Sequence, residues 1–155
     1  MTAGAGEAGT IVSVNISAKK GQLKTPVERA ELIAGEGLAG DGHRGFAHRQ
    51  VSLLMMEDIE AQRARLGGAV KVPLGPGCYA ENLTTRGIDL GTLRVGDELV
   101  VAGSVRLRVS QIGKECHTKC AVFKLVGDCI MPVRGIFCEV LAGGDVRPGD
   151  AIEKR

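Results

Sequence analysis

Aromatic residues make up only 3% of this chain, with no Trp, a single Tyr and three Phe. Such a surface offers no stacking platform for single-stranded nucleic acid and no aromatic cage for a quaternary ammonium group. An excess of either charge is also missing. Twenty Lys and Arg stand against eighteen Asp and Glu, a net charge of +2, so bulk electrostatics imply no nucleic-acid partner and no anionic membrane. No run approaches the roughly 18 apolar residues that a membrane span needs. The N-terminal residues 1–9 lack a basic segment followed by an apolar one and do not read as a secretory signal. Five cysteines, an odd number, point to free thiols in a reducing, cytoplasmic setting and not to a disulfide framework. Two nucleotide signatures are absent as well. No Gly-Lys-Ser/Thr completes a Walker A loop, and no Gly-x-Gly-x-x-Gly opens a helix after a strand.

Glycine is what the chain has in plenty. The 23 glycines are dispersed, as expected of short strands joined by tight turns. A length of 155 residues with 44% hydrophobic content suits one domain with its own core. Residues 1–9 read as a flexible lead-in and residues 10–155 as a single domain. Strands are expected at Thr10–Ser17, Val27–Ala34 and Val51–Leu54, with a polar connector over Ala18–Pro26. Met55–Leu66 is the clearest helix, with Met55, Ile59 and Leu66 on one face. Glu57 and Asp58 in its first turn and Arg63 and Arg65 in its last complement the helix dipole. Gly67 and Gly68 are expected to stop it.

Further on, Ala80–Thr84 is a short strand, and Asp97–Ala102 with Ser104–Val109 forms a hairpin about Gly103. Gly135–Leu141 is a strand followed by a turn at Gly143–Gly144. Leu93–Leu99 and Val146–Ile152 share an Arg-x-Gly-Asp core, read as one recurring corner that launches a strand. Together these elements predict a mainly β (α+β) fold, barrel-like, with one or two helices.

Chemistry is concentrated in Ser110–Cys129, which holds three of the five cysteines, His117 and three lysines. A thiol beside cations has a lowered pKa and carries more thiolate at neutral pH. Cys116 and Cys120 are therefore the candidate nucleophiles, with Lys114, Lys119 and His117 favouring ionisation. A helix begun near Glu115 would put Cys116, Cys120 and Phe123 on one face. Cys138 alternates with Ile136 and Val140 and reads as a small core hydrophobe, and Cys78 and Cys129 lean the same way. The spacing Cys-x3-Cys-x8-Cys does not match a familiar zinc frame, so an open thiolate is preferred to a closed metal site.

A second cluster is Gly40–Gln50, in which His43, Arg44, His48 and Arg49 lie among glycines. Arginine presents a planar fork suited to phosphate or carboxylate. Glycine lets the backbone approach such a ligand closely. Glu81-Asn82 is a third polar pair. A turn fixed by the asparagine, and a carboxylate holding Arg49, are the two readings of it.

Taken in order, these motifs resemble the MOSC domain, named for the C-terminal part of molybdenum-cofactor sulfurases. The matching pieces are Gly40-Asp41, His48–Leu54, Glu81–Asp89, Leu93-x-Val95-Gly96-Asp97, Gln111-x4-Cys116, and the closing run from Gly135 to Asp150. The resemblance implies a β-rich barrel-like fold and a cysteine that carries sulfur or meets a metal–sulfur centre. The spacing from Gln111 selects Cys116, with Lys114 standing where the family commonly has an arginine. The prolines that usually flank the cysteine are missing here, and Cys120 stays as a rival.

The function so implied is that of a sulfur carrier or cofactor-binding protein. Cys116 would accept sulfane sulfur or act as metal ligand to the molybdenum of molybdopterin, the molybdenum cofactor. His43, Arg44, His48, Arg49, Glu81 and Asn82 would hold that cofactor. Pyridoxal phosphate binding is an association of the wider family. With no desulfurase-like domain bearing a pyridoxal-phosphate lysine in this sequence, sulfur would come from a separate cysteine desulfurase or another cofactor-biosynthesis protein. Two alternatives stand beside it: a non-catalytic pterin carrier or scaffold, and a redox-sensing dithiol of Cys116 and Cys120.

Overall fold

The computed structural model describes residues 6–17, 23–41, 50–66, 74–113 and 134–155. Eleven strands and one α-helix are found among them: β1 (Ala8–Ile16), β2 (Thr25–Val27), β3 (Ala30–Ile33), β4 (Gly37–Leu38), β5 (Val51–Met55), α1 (Met56–Leu66), β6 (Leu83–Arg86), β7 (Glu98–Val101), β8 (Val105–Ile112), β9 (Ile136–Ala142), β10 (Gly144–Val146) and β11 (Ala151–Lys154). The larger sheet runs β11-β7-β8-β9-β5-β6-β1, and β11 pairs back onto β1. Seven strands thus close into a barrel, with β2 added at the far end of β1. Closure removes the exposed edge that an open sheet must otherwise protect. The mainly β, barrel-like fold expected from the sequence is the fold observed.

Alternation decides what fills the barrel. Leu99, Val101, Val105, Leu107, Val109, Ile136, Cys138, Val140 and Ile152 occupy every second position of their strands and pack into one buried cluster. On β8 the intervening Arg106 and Arg108 point outward and pair with Glu98 and Glu139. A second cluster, with Leu54, Met56, Ile59, Tyr79 and Phe137, lies where α1 and the 74–80 segment cover the barrel's outer face.

All pairings in the larger sheet are antiparallel except β5–β6, joined through α1. The helix starts one residue later than expected, because Met55 completes β5. Its buried face is therefore Met56, Ile59 and Gln62, with Leu66 partly buried. The stop at Gly67–Gly68 lies outside the described residues. Among the described residues no helix is long and apolar enough to cross a membrane.

Four further expectations need correction. The strand expected over Ala80–Thr84 is Leu83–Arg86, because Ala80 turns the chain at φ +62° and pairing with β1 and β5 starts only at Leu83. β1 begins at Ala8, because Ala8 and Gly9 pair with Glu153 and Ile152 to close the barrel. The single strand expected over Val27–Ala34 is two. β2 ends at Val27 on the edge of β1, and β3 joins β10 and β4 in a separate three-stranded sheet. Gly144 is no turn residue but opens β10. Gly143 is required for close approach, since a Cβ there would collide with the Leu32 carbonyl oxygen.

The recurring Arg-x-Gly-Asp corner is real, down to its individual bonds. Arg94 N donates to Asp97 Oδ2 at 2.8 Å, and Arg147 N to Asp150 Oδ2 at 2.7 Å. Gly96 N donates to Val109 O, and Gly149 N to Ile11 O. In return Val109 N donates to Asp97 O, and Ile11 N to Asp150 O. One corner launches β7 against β8, and the other launches β11 against β1. Both need a glycine, with φ of +98° at Gly96 and +95° at Gly149. Neither site is crowded, so Gly96→Ala and Gly149→Ala should each cost about 1 kcal/mol from backbone strain alone. That corresponds to a Tm lowered by roughly 2–4 °C. Gly75→Ala, at an open position without positive φ, is the control and should leave Tm the same or slightly higher in the same thermal melts.

Candidate functional site

The outer face of β1, β5 and β6 carries polar side chains that are nonetheless buried: Ser13, Asn15, Ser52 and Thr84, joined by Glu81 and Asn82 just before β6. A buried polar group is costly unless paired, so the bonds here are obligatory. Asn15 accepts from Ser13 Oγ at 2.7 Å and donates through Nδ2 to Thr84 Oγ1 at 3.0 Å. Thr84 in turn donates to Glu81 Oε2 at 2.7 Å. The Glu81 carboxylate also accepts from Gly77 N at 3.0 Å and Tyr79 N at 3.3 Å, so the 76–79 turn wraps around it.

Asn82 does not merely fix a turn through its own backbone. Its Oδ1 accepts from Ser52 N at 3.0 Å, and its Nδ2 donates to Asn15 O at 3.2 Å. It therefore ties the strand on one side of β6 to the strand on the other, at the point where parallel and antiparallel pairing meet. Glu81 and Asn82 are both fully buried, and the bonds just given are to protein groups. Arg49, the partner considered for Glu81 from the sequence, lies outside the described residues.

Burial pushes the Glu81 carboxyl above its ordinary pKa, and the hydrogen bonds from Gly77, Thr84 and Tyr79 oppose that shift without cancelling it. All three bonds are donated to the carboxylate, with Thr84 oriented by the bond it accepts from Asn15.

The basic loop is rooted in this same region. At its start, Asp41 Oδ1 accepts from Lys24 Nζ at 2.7 Å and from Ser17 N at 3.1 Å. At its end, Gln50 Oε1 accepts from Val140 N at 2.9 Å, tying the chain to β9 as it enters β5. His43, Arg44, His48 and Arg49 lie between these anchors, outside the described residues. The thiol segment leaves β8 at Gly113, whose N–H donates to Gly135 O at 2.8 Å. Lys114, Cys116, His117 and Cys120 follow, also outside the described residues, as does the helix expected from Glu115.

Two cysteines are described, Cys78 and Cys138, and both are buried. Cys138 faces the barrel interior, and burial pushes its thiol upward, leaving no thiolate at neutral pH. The core role expected for it is the one observed. Cys78 packs in the outer cluster beside Tyr79. Among the described residues no three His, Cys, Asp or Glu side chains converge as a metal site.

A family model described as the MOSC domain matches residues 40–153. The chain belongs to the MOSC domain family. Solved structures agree in fold. YuaD from Bacillus subtilis superposes with a TM-score of 0.74 at 20% identity, covering 95% of both chains. YiiM from Geobacillus stearothermophilus gives a TM-score of 0.70 at 21% identity, over 95% of this chain and 75% of that one. YiiM from Escherichia coli gives 0.70 at 20% identity, over 95% of this chain and 69% of that one. No curated protein sequence matches this one. The MOSC family is associated in general with the molybdenum cofactor.

Within this MOSC domain, the sequence singled out Glu81 and Asn82 as a polar pair but not the residues that hold them. Ser13, Asn15 and Ser17 alternate with apolar neighbours and look solvated, whereas Ser13 and Asn15 are covered by later chain. Lys24 gave no signal at all. Glu81 supplies a test. A carboxyl whose pKa is raised on folding holds its proton more tightly in the native state. Its stabilising contribution is full below the ordinary carboxylate pKa and is lost as pH rises through the folded value. Glu81→Gln sets an amide NH2 against backbone donors and should cost about 1–3 kcal/mol in urea denaturation. The cost should be larger near about pH 4 than near about pH 8. A cost that is constant or grows with pH contradicts the assignment.

Proposed function

We propose that this MOSC protein is a sulfur carrier of molybdenum-cofactor metabolism, with Cys116 as the working thiol and the 42–49 loop as the receptor for the cofactor's phosphate. The reading is carried by how the two segments are rooted. Val51 and Val109 both pair with Cys138, and Leu53 and Ile112 both pair with Ile136, so the two root strands flank β9. Two inter-strand spacings and about four residues along β9 separate Gln50 from Gly113, about 15 Å in all. β5 and β8 both run antiparallel to β9, so the 42–49 loop enters β5 at the Glu139 end of β9 while the 114–133 segment leaves β8 at its Gly135 end. Cys116 is three residues beyond Gly113 and Arg49 one residue before Gln50, and at roughly 3.5 Å per residue a shared ligand requires the two segments to turn back toward each other.

Chemically the step is an exchange. The Cys116 thiolate, favoured by Lys114, Lys119 and His117, attacks the outer sulfur of a persulfide on a cysteine desulfurase. The S–S bond of the donor breaks, the desulfurase cysteine leaves as thiolate, and Cys116 becomes the persulfide. Arg44 and Arg49 suit a phosphate through their bidentate forks, with His43 and His48 beside them. A soft thiolate is also a suitable ligand for the molybdenum of the bound cofactor. Glu81 and Asn82 act in this scheme from beneath, holding the strands from which the loop springs. The setting proposed is the cytoplasm, where free thiols persist.

Cys78 and Cys138 are packed away, which leaves the sulfur role to the 114–133 segment. Incubation with a cysteine desulfurase and free cysteine, followed by persulfide labelling and mass spectrometry, should mark wild type at Cys116. Cys116→Ser should lose the label, and Cys120→Ser should keep it. Labelling that follows Cys120 moves the role to that residue. A wild type left unlabelled at both, yet binding molybdopterin in a titration, is a pterin carrier or scaffold instead. Rapid formation of a Cys116–Cys120 bond under mild oxidant marks the redox dithiol.

A further inference from the structure

A cleft of about 280 Å³ opens where β11 closes onto β1, lined by Gly6, Glu7, Asp89, Thr92 and Lys154. Main-chain bonds fix its walls. Lys154 N donates to Glu7 O and Asp89 N to Gly6 O, both at 2.7 Å. Asp89 also caps the short 3-10 helix Leu90–Thr92, its Oδ1 accepting from Gly91 N at 2.9 Å. Thr92 Oγ1 donates to Asp89 O at 2.9 Å. The cleft is thus carried on backbone already held in place, as a preorganised site requires.

Two of its charged groups are only partly engaged. Lys154 Nζ lies 3.7 Å from Asp97 Oδ2, too far for a hydrogen bond, and that oxygen already accepts from Arg94 N at 2.8 Å. Among the described residues no acceptor stands within hydrogen-bond distance of the Lys154 ammonium, and no donor meets Asp89 Oδ2. Both residues are half-buried.

The two signs together decide what fits. A metal cation would be repelled by the Lys154 ammonium, and a simple anion by Asp89 and the neighbouring Glu7. A ligand with an ammonium at one end and a carboxylate at the other meets both charges. The volume lies just below the usual range of ligand pockets, which limits the guest to a very small molecule.

We propose that this cleft binds a free α-amino acid, its carboxylate on the Lys154 ammonium and its ammonium on Asp89 Oδ2, with Thr92 Oγ1 as a further acceptor. Charge-assisted hydrogen bonds of this kind are the strong ones. The binding does not depend on the sulfur role of Cys116.

In an NMR titration of the full chain with L-alanine, the Gly6, Thr92 and Lys154 amide signals should shift and saturate in the millimolar range. Propionate lacks the ammonium and ethylamine lacks the carboxylate, so each should bind at least about tenfold more weakly. Lys154→Met and Asp89→Asn should weaken alanine binding to the same degree. Asparagine caps as well as aspartate does, and Lys154 gives up only a long surface ion pair, so both variants should melt close to wild type. Amides that stay unmoved up to about 10 mM alanine overturn the proposal, as does unchanged affinity in either folded variant. Propionate or ethylamine binding as tightly as alanine makes the cleft a plain anion or cation site and overturns it too. Those two arms need no substitution, so they decide the matter even where a variant unfolds.

Discussion

The structure depends on one closure, the pairing of β11 with β1. Residues at the two ends of the described chain meet there, Ala8 with Glu153 and Thr10 with Ala151. Their bonds turn an open seven-stranded sheet into a barrel. β1 is long enough to serve three partners in succession, β11 first, then β6, then β2, with an irregularity between Ile11 and Ser13 that changes its direction. The Gly149–Asp150 corner completes the closure by exchanging two backbone bonds with Ile11. Local turn chemistry and long-range topology thus act at the same residue. This agreement between levels is what lets a sequence specify a single fold.

A consequence of closure is that the barrel's interior is spoken for. Val, Leu and Ile side chains and Cys138 pack there into one buried cluster. The outer face of β1, β5 and β6 is built differently. There the polar side chains are buried beneath the 74–80 segment and satisfied by one another. Such a network specifies geometry strongly because every unmade bond in it is costly. Asn82 and Gln50 hold the start of β5, and Asp41 holds the corner before the loop.

The parts of this arrangement that were legible in the sequence are those written in local chemistry. β8 showed its alternation because one face is apolar and the other charged. The twin corners showed themselves because a left-handed position demands glycine and the following Asp caps it. α1 was legible from its dipole-matched ends, though its first residue was not, since Met55 and Met56 are equally apolar and tertiary pairing decides between strand and helix. The break between β2 and β3 was hidden because two short strands in different sheets look like one when no glycine or proline parts them. The polar outer face was hidden for a deeper reason. Ser13 and Asn15 look solvated until chain some 60 residues later, carrying Gly77, Tyr79 and Glu81, folds over them.

The same asymmetry bears on the thiols. From composition alone, five cysteines were five candidates, separated by the polarity of their neighbours. The fold divides them by physics: the interior of a closed barrel raises the Cys138 pKa and denies it solvent, and the outer apolar cluster does the second for Cys78. A reactive thiol needs the opposite surroundings, cationic and partly exposed. Of the five, those surroundings are written only around Cys116 and Cys120, in a segment that begins beside the strand shared with the basic loop. A MOSC barrel whose core takes up Cys138 and whose outer cluster takes up Cys78 leaves the sulfur role proposed above to the cysteines of the 114–133 segment.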